Sequence, residues 1–270
     1  MKRGSGILLH VSSLPSRYGI GDLGHEAYKF VDLMAQGKQR LWQMLPVNPT
    51  NLACASSPYH SISAFAGNSL FINPDMLIED GLLEKKDLNG LSKYPAGKVD
   101  YGKIVKDKTV WLDAAYENFL KKGENSAYWQ FVKENKWWLG DYALFAALKE
   151  FFKGKVWCDW PDALQHRNEQ ELEKARKKLI RRIEKENVIQ YIFFKQWYAL
   201  KKYCFEKGVQ IIGDIPIYVQ YDSAEVWSNP SVFKLDKDKK PYVVAGVPPD
   251  YFSATGQLWG NPLYNWDVLK

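Results

Sequence analysis

Residues 6–11 read GILLHV and residues 40–47 read RLWQMLPV, two short apolar runs on either side of a stretch with a different period. In that stretch, 24–36, Ala27, Val31 and Met34 fall on one helical face with Phe30 and Leu33 adjoining, and Gly37 follows as a helix stop. Strand, helix and strand in this order make a βαβ unit, which requires a parallel sheet. A third run of the same kind, VQIIGDI at 209–215, carries Asp214 near its end. The expected fold class is therefore α/β.

Between the second and third runs the period changes. Residues 48–101 break into Pro, Ser, Asn and Gly and read as loop, whereas 109–122, 126–138 and 141–152 read as helices. A long helical region follows over 169–206, with a break expected near Asn187. Both a barrel and a doubly wound sheet begin with strand, helix, strand, and here a mainly helical excursion interrupts the pattern. A complete eightfold barrel takes about 250 residues without insertions. The chain has 270, about half of them in the excursion, and shows three strands by residue 215. A barrel reading therefore makes this a partial (β/α)8 TIM barrel of about three strands with a large, mainly helical inserted subdomain. The expected segments are 1–69 for two barrel strands and a substrate loop, 70–190 for the helical insert, and 191–270 for a barrel helix, the third strand and an aromatic loop.

Bulk composition excludes several classes. At 46% hydrophobic and 25% charged the chain is ordinary globular material. Its net charge of +6 comes from Lys and Arg interleaved with Asp and Glu. The densest basic run, KARKKLIRR at 174–182, lies at helical spacing behind Glu169, Glu171 and Glu173 and reads as a solvated helix face. No nucleic-acid motif accompanies it, so no nucleic-acid partner is expected. Cys54, Cys158 and Cys204 are far apart and odd in number, which indicates neither a disulfide framework nor a zinc site. The N-terminal apolar run is too short for a signal-peptide core, and no window approaches the ~20 apolar residues of a membrane span. A cytoplasmic protein with no membrane partner is expected.

Aromatic content is the unusual quantity, with 11 Trp, 16 Tyr and 13 Phe making up 15% of the chain, several of them in Gly- and Pro-rich segments without regular period. Aromatic faces match the C–H face of a pyranose, so exposed rings in loops point to sugar binding, although rings that plug a core are commoner one at a time. In parallel α/β folds polar residues just after each strand have priority as site candidates. These are His10, Ser12 and Ser13, then Asn48, then Asp214. Asp214 can orient a hydroxyl or cap the turn at 215–218, and both readings stand. There is no phosphate loop, zinc helix motif or nucleophile elbow, and GIGDLG at 19–24 reads as a strand-to-helix turn. In PPDYFSATGQLWGNPLYNW, 248–266, two prolines stiffen the entrance and Gly256 and Gly260 permit bends. Asp250, Tyr251, Phe252, Gln257, Trp259 and Asn261 there alternate polar groups with aromatic faces. That composition suits a glucan cleft and equally a loop packed on its own rings.

Taken together, GILLHVSSLPSRYGIGDLG from Gly6, SPYHSISAFAGNSLFI from Ser57, GDIPIYV from Gly213 and VPPDYFSATGQLWGNPLYNW from Val247 resemble the ordered motif series of the 4-α-glucanotransferases of the amylomaltase type. DYALFAALKE from Asp141 and SAEVWSNPSVFKLDKDKKP from Ser223 are also similar to family segments. The resemblance implies an α-amylase-like barrel with helical subdomains that transfers α-1,4-glucan between maltodextrins by a retaining double displacement, with no metal or organic cofactor. It assigns substrate contact to Ser57 and Tyr59, the central subsite to Asp214, and a loop over the glucan to Asp250, Gln257, Trp259 and Asn261. His60 stands where the family has Gln, which touches local sugar contacts.

The family's nucleophile lies in an Arg-x-Asp motif, and none of Arg3, Arg17, Arg40, Arg167, Arg176, Arg181 or Arg182 has Asp two residues on. The nucleophile and the acid/base are therefore expected beyond Lys270, with no catalytic residue among the 270. The chain alone is expected to be inactive, with a second polypeptide that completes the barrel as an open partner. The alternatives are a related α-glucan hydrolase and a non-catalytic glucan-binding fragment.

Overall fold

The computed structural model describes residues 3–88, 94–95, 97–123 and 125–269; the parts of the expected segments that fall on other positions, Lys270 included, lie outside the described residues. In chain order the elements are β1 (Gly6–Leu8), α1 (His25–Gln36), β2 (Leu41–Gln43), α2 (Pro74–Glu79), α3 (Tyr101–Lys121), α4 (Ser126–Glu134) and α5 (Leu139–Phe151). There follow α6 (Asp162–Gln165), α7 (Glu169–Lys178), α8 (Ile180–Glu206), β3 (Gln210–Ile212), α9 (Ala224–Ser228), β4 (Val244–Val247), β5 (Gln257–Pro262) and α10 (Trp266–Leu269). Among the described residues no helix is long and apolar enough to cross a membrane. The chain divides into two units, Met1–Val47 with Gly67–Lys136 and Lys185–Ile215, and Asn48–Ala66 with Trp137–Glu184 and Pro216–Lys270.

The first unit holds the parallel sheet that the apolar runs require. Its order is β1-β2-β3, with Gly6 opposite Leu41 and Leu41 opposite Gln210. Trp42, at the centre of the middle strand, is fully buried, and its indole N–H donates to the Leu9 carbonyl at 2.8 Å. Ala27, Val31 and Met34 of α1 are buried in the same core, as their spacing predicts, and Phe30 meets the Trp42 ring edge-on at 5.0 Å. Leu33 points away and is 64% exposed. The strands are shorter than the apolar runs. β2 ends at Gln43, and Pro46 further along the run has no N–H to extend a ladder.

Three expectations need correction. The loop expected over 48–101 contains α2, where Asn73 Oδ1 accepts from the Met76 N–H at 3.0 Å and Pro74 takes the first helical position. The break expected near Asn187 falls instead at Leu179, between α7 and α8, and Asn187 lies inside a 27-residue helix. The spacing of Val188, Ile189, Ile192 and Phe193 buries that part of α8, and burial outweighs the weak helix propensity of one Asn. α3 likewise begins at Tyr101 rather than 109, because Asp100 caps it through the Lys103 N–H at 3.1 Å.

Polar groups in this core are matched to backbone. Gln190 of α8 accepts from the Gly67 N–H at 2.8 Å and donates to the Gly67 carbonyl at 3.1 Å. Gln196 does the same at Asn73, at 2.8 and 3.1 Å. Each buried amide thus replaces a missing strand partner for one extended residue. A Cβ on Gly67 would lie 2.0 Å from the Phe193 ring, so only glycine lets the backbone approach this closely. Lys108 is 2% exposed and donates to the Ile72 carbonyl at 2.5 Å; burial pulls its ammonium down to about 8, while the Asp22 carboxylate opposes the shift.

In the second unit α5 packs its buried face, including Phe145 and Leu148, with α9. Phe145, Trp160 and Trp227 form a ring cluster with centroids 5.5 to 6.0 Å apart, and the Arg167 guanidinium lies 4.4 Å over Trp227. Lys149 and Asp222 pair with side chains only 17% and 16% exposed. β4 and β5 form an antiparallel hairpin with Val247 opposite Gln257.

Candidate functional site

The hairpin loop at 248–256 is tied internally. Asp250 Oδ1 accepts from the backbone N–H groups of Phe252 at 2.9 Å and Ser253 at 2.8 Å, an Asx turn that fixes the bend. Ser253 Oγ donates to the Gly256 carbonyl at 2.7 Å. Gly256 adopts φ +74°, and a Cβ there would stand 2.5 Å from the Val247 carbonyl oxygen. With the loop's polar groups engaged, Tyr251 and Phe252 project outward, 97% and 90% exposed. Rings left in water at this level mark a surface that meets something else.

At the root of the hairpin the side chains organise one another. Trp259 is 42% exposed, its indole N–H donates to Gln257 Oε1 at 3.1 Å, and its ring lies 6.5 Å from that of Tyr218. Asn261 is buried, and its amide donates to the Val219 carbonyl at 3.0 Å. Asn261 therefore anchors the strand that carries Trp259.

Ser57 and Tyr59 sit on a second loop. Ala55 and Ser56 both have left-handed φ, 52° and 54°, so two residues without glycine's freedom hold a strained entrance. The His60 N–H donates to the Ser57 carbonyl at 3.1 Å and closes a turn that leaves Tyr59 46% exposed. Beyond the turn the loop is fastened down. Gln220 donates from Nε2 to the His60 carbonyl at 2.9 Å and from its backbone to the Ser61 carbonyl at 3.0 Å. Glu225 Oε1 accepts from Ser63 Oγ at 2.6 Å and from the Ala64 N–H at 3.1 Å.

Residues 218–220 thus join the two loops, with Asn261 on the Val219 carbonyl and Gln220 on His60 and Ser61. The arrangement presents Tyr59 and Trp259, with the polar groups of Ser57 and Gln257, from a hydrogen-bonded base. Rigid aromatic faces with hydroxyl-competent neighbours can hold a ring that is apolar on its faces and polar at its edge. Tyr218 and Glu225, which the candidate set omits, belong to this base; their motif segments are visible in the sequence, but their partners lie up to 162 residues away.

The remaining candidates fall elsewhere. Asp214 belongs to the first unit, two residues after β3, exposed, with Oδ1 accepting from the Ile215 N–H at 2.8 Å. His10 follows β1 with its ring edge-on to Phe71 at 5.3 Å, and burial pulls its imidazole down to about 4, so it is neutral near pH 7. Asn48 donates to the Ala64 and Ala66 carbonyls at 2.9 and 3.1 Å and serves the loop's backbone.

A family model described as 4-alpha-glucanotransferase matches residues 9–270. A 4-alpha-glucanotransferase of Aquifex aeolicus is 48% identical over 263 residues, covering 97% of this chain and 53% of the relative. One from Streptococcus pneumoniae is 45% identical, covering 99% and 53%. Among solved structures, amylomaltase from Streptococcus agalactiae in complex with acarbose superposes with a TM-score of 0.93 at 46% identity, over 98% of this chain and 54% of that one. The chain spans about half the length of the curated relatives it matches.

Proposed function

The chain belongs to the 4-alpha-glucanotransferase family, and from that premise we propose that it supplies the glucan-holding part of an enzyme that transfers α-1,4-glucan segments between maltodextrins. The observation that carries this reading is the shared base at 218–220, which fixes the loops bearing Tyr59 and Trp259 through Gln220 and Asn261. Ser57, Tyr59, Asp250, Gln257 and Trp259 contact the glucan, and Asn261 serves from its buried place at the strand root; in the first unit, Asp214 by itself offers a hydroxyl acceptor after β3. Fixed aromatic faces bind a sugar with little ordering cost, which is what a cleft for a flexible chain needs.

A retaining double displacement places a nucleophilic carboxylate and an acid/base about 5 Å apart. With no Arg-x-Asp among the 270 residues, our reading assigns both groups to further chain, on the same or a second polypeptide. The three parallel strands support the view that β1, β2 and β3 are part of a (β/α)8 barrel, with the helices of 70–190 as an inserted subdomain. The free cysteines are in keeping with a reducing, cytoplasmic setting.

Incubation of the purified chain with maltotriose tests the division of labour. No turnover is expected, together with quenching of tryptophan fluorescence that Trp259→Ala removes. Glucose released with longer maltodextrins would place the transfer chemistry within these residues, and new reducing ends without longer products would identify a hydrolase.

A further inference from the structure

Apart from the two loops, the second unit contains a cavity of about 330 Å³ lined by Phe65, Trp137, Asp141, Glu225, Asn229 and Tyr264 among others. Its size is at the low end of the range for small-ligand pockets. None of Ser57, Tyr59, Asp250, Gln257 or Trp259 lines it. Two of its rings, Phe65 and Trp137, are packed edge to face with centroids 4.6 Å apart and are nevertheless 43% and 63% exposed. The two rings form an apolar wall on one side of the cavity.

The polar groups of the cavity define the charge of what fits. Asp141 is neutralised by Arg167, whose guanidinium donates to Oδ1 at 2.6 Å. Glu225 is held by Ser63 and Ala64 on Oε1, while Oε2 is shut off from bulk water and has no hydrogen-bond partner among the described residues. Burial raises the proton affinity of this carboxyl. Asp141 already has its cation in Arg167, and an anion would meet two carboxyl groups. A neutral ligand with one apolar face and several hydroxyls suits this lining: the face lies against Trp137 and Phe65, and hydroxyls reach Asp141 and Asn229. We propose that this cavity is a second sugar site, separate from the loops at 57–59 and 250–259, and that it takes a single pyranose unit of an α-glucan. The choice of glucan rests on the function proposed above; the neutral, hydroxyl-rich class rests on the cavity itself.

Heteronuclear NMR of the tryptophan indole N–H signals, assigned by single substitutions, reads the two places separately as maltotriose is added to the wild-type chain. The signals of Trp137 and Trp259 are both expected to move, with independent saturation. Trp137→Ala and Phe65→Ala should each weaken the binding not sensed by Trp259 by about tenfold, whereas Trp259→Ala should leave the Trp137 response in place. A Trp137 signal that stays fixed while that of Trp259 moves overturns the second site and leaves the loop reading intact. Movement of Trp137 alone overturns the loop reading and keeps the cavity. If neither signal moves, both fail.

Discussion

The indole N–H of Trp259 donates to Oε1 of Gln257 at 3.1 Å, so the exposed ring is steered by the residue two positions back on the same face of β5. Gln257→Leu keeps the side-chain volume and removes the acceptor. Maltodextrin affinity, read by fluorescence titration, is expected to fall about three- to tenfold, the size of one net hydrogen bond, with Trp259→Ala falling further. Equal affinity in Gln257→Leu and wild type would show that the bond does not orient the ring for glucan.

Gly256 combines φ +74° with a carbonyl 2.5 Å from where a Cβ would stand. Gly256→Ala must move the Asp250 turn, at a cost of about 1–3 kcal/mol confined to the hairpin. Weaker glucan binding together with a melting temperature about 2–5 °C below wild type is the expected pair of results.

Lys108 and Asp22 are both buried and act on each other electrostatically. Lys108→Met leaves the Asp22 carboxyl without its nearby cation and the Ile72 carbonyl without its donor. A loss of about 3 kcal/mol is expected in urea unfolding, and Asp22→Asn in the same chain should restore more than half of it. A double variant less stable than Lys108→Met alone would contradict this account.

His10 gives stability a pH dependence of definite sign. Folding lowers its pKa from 6.5 to about 4 through burial, so between those values the unfolded chain binds a proton that the folded chain does not. This part of the stability is complete above pH 6.5 and is lost as pH falls toward 4, by about 2 kcal/mol once partial solvent contact of the ring is allowed for. His10→Phe should flatten unfolding free energy against pH across that window, and an unchanged slope would assign the dependence to other groups.

Local signals in the sequence carried the sheet, and distant ones carried the site. The apolar runs around Leu8, Trp42 and Ile211 and the face of Ala27, Val31 and Met34 are periodic within a few residues, which is why the βαβ unit was legible. The caps at Asp100 and Asn73 were equally local, and only the Pro- and Gly-rich surroundings obscured them. By contrast, the attachment of Glu225 to Ser63 or of Gln220 to His60 leaves no trace in spacing, because each joins an irregular segment to one some 160 residues away. Asp250 and Trp259 were visible as residue types in a bend-rich motif; that Asp250 would set the bend and Asn261 the strand root depends on backbone partners that composition does not reveal.

The two glutamine clamps of α8 bear on how the chain acquires its shape. Gln190 and Gln196 each grip a backbone position 123 residues earlier, and six residues separate both the glutamines and their partners. A helix rises about 1.5 Å per residue and an extended chain about 3.3 Å, so the two clamps fit together only because the 67–73 segment includes a turn of 3-10 helix at Ser69–Phe71 that shortens it. On the ribosome, residues 67–73 must wait for more than a hundred further residues to be made before their backbone groups find these partners. Closing so long a loop is slow relative to helix formation, and until it closes the early strands and α1 are a nascent segment in need of protection from association.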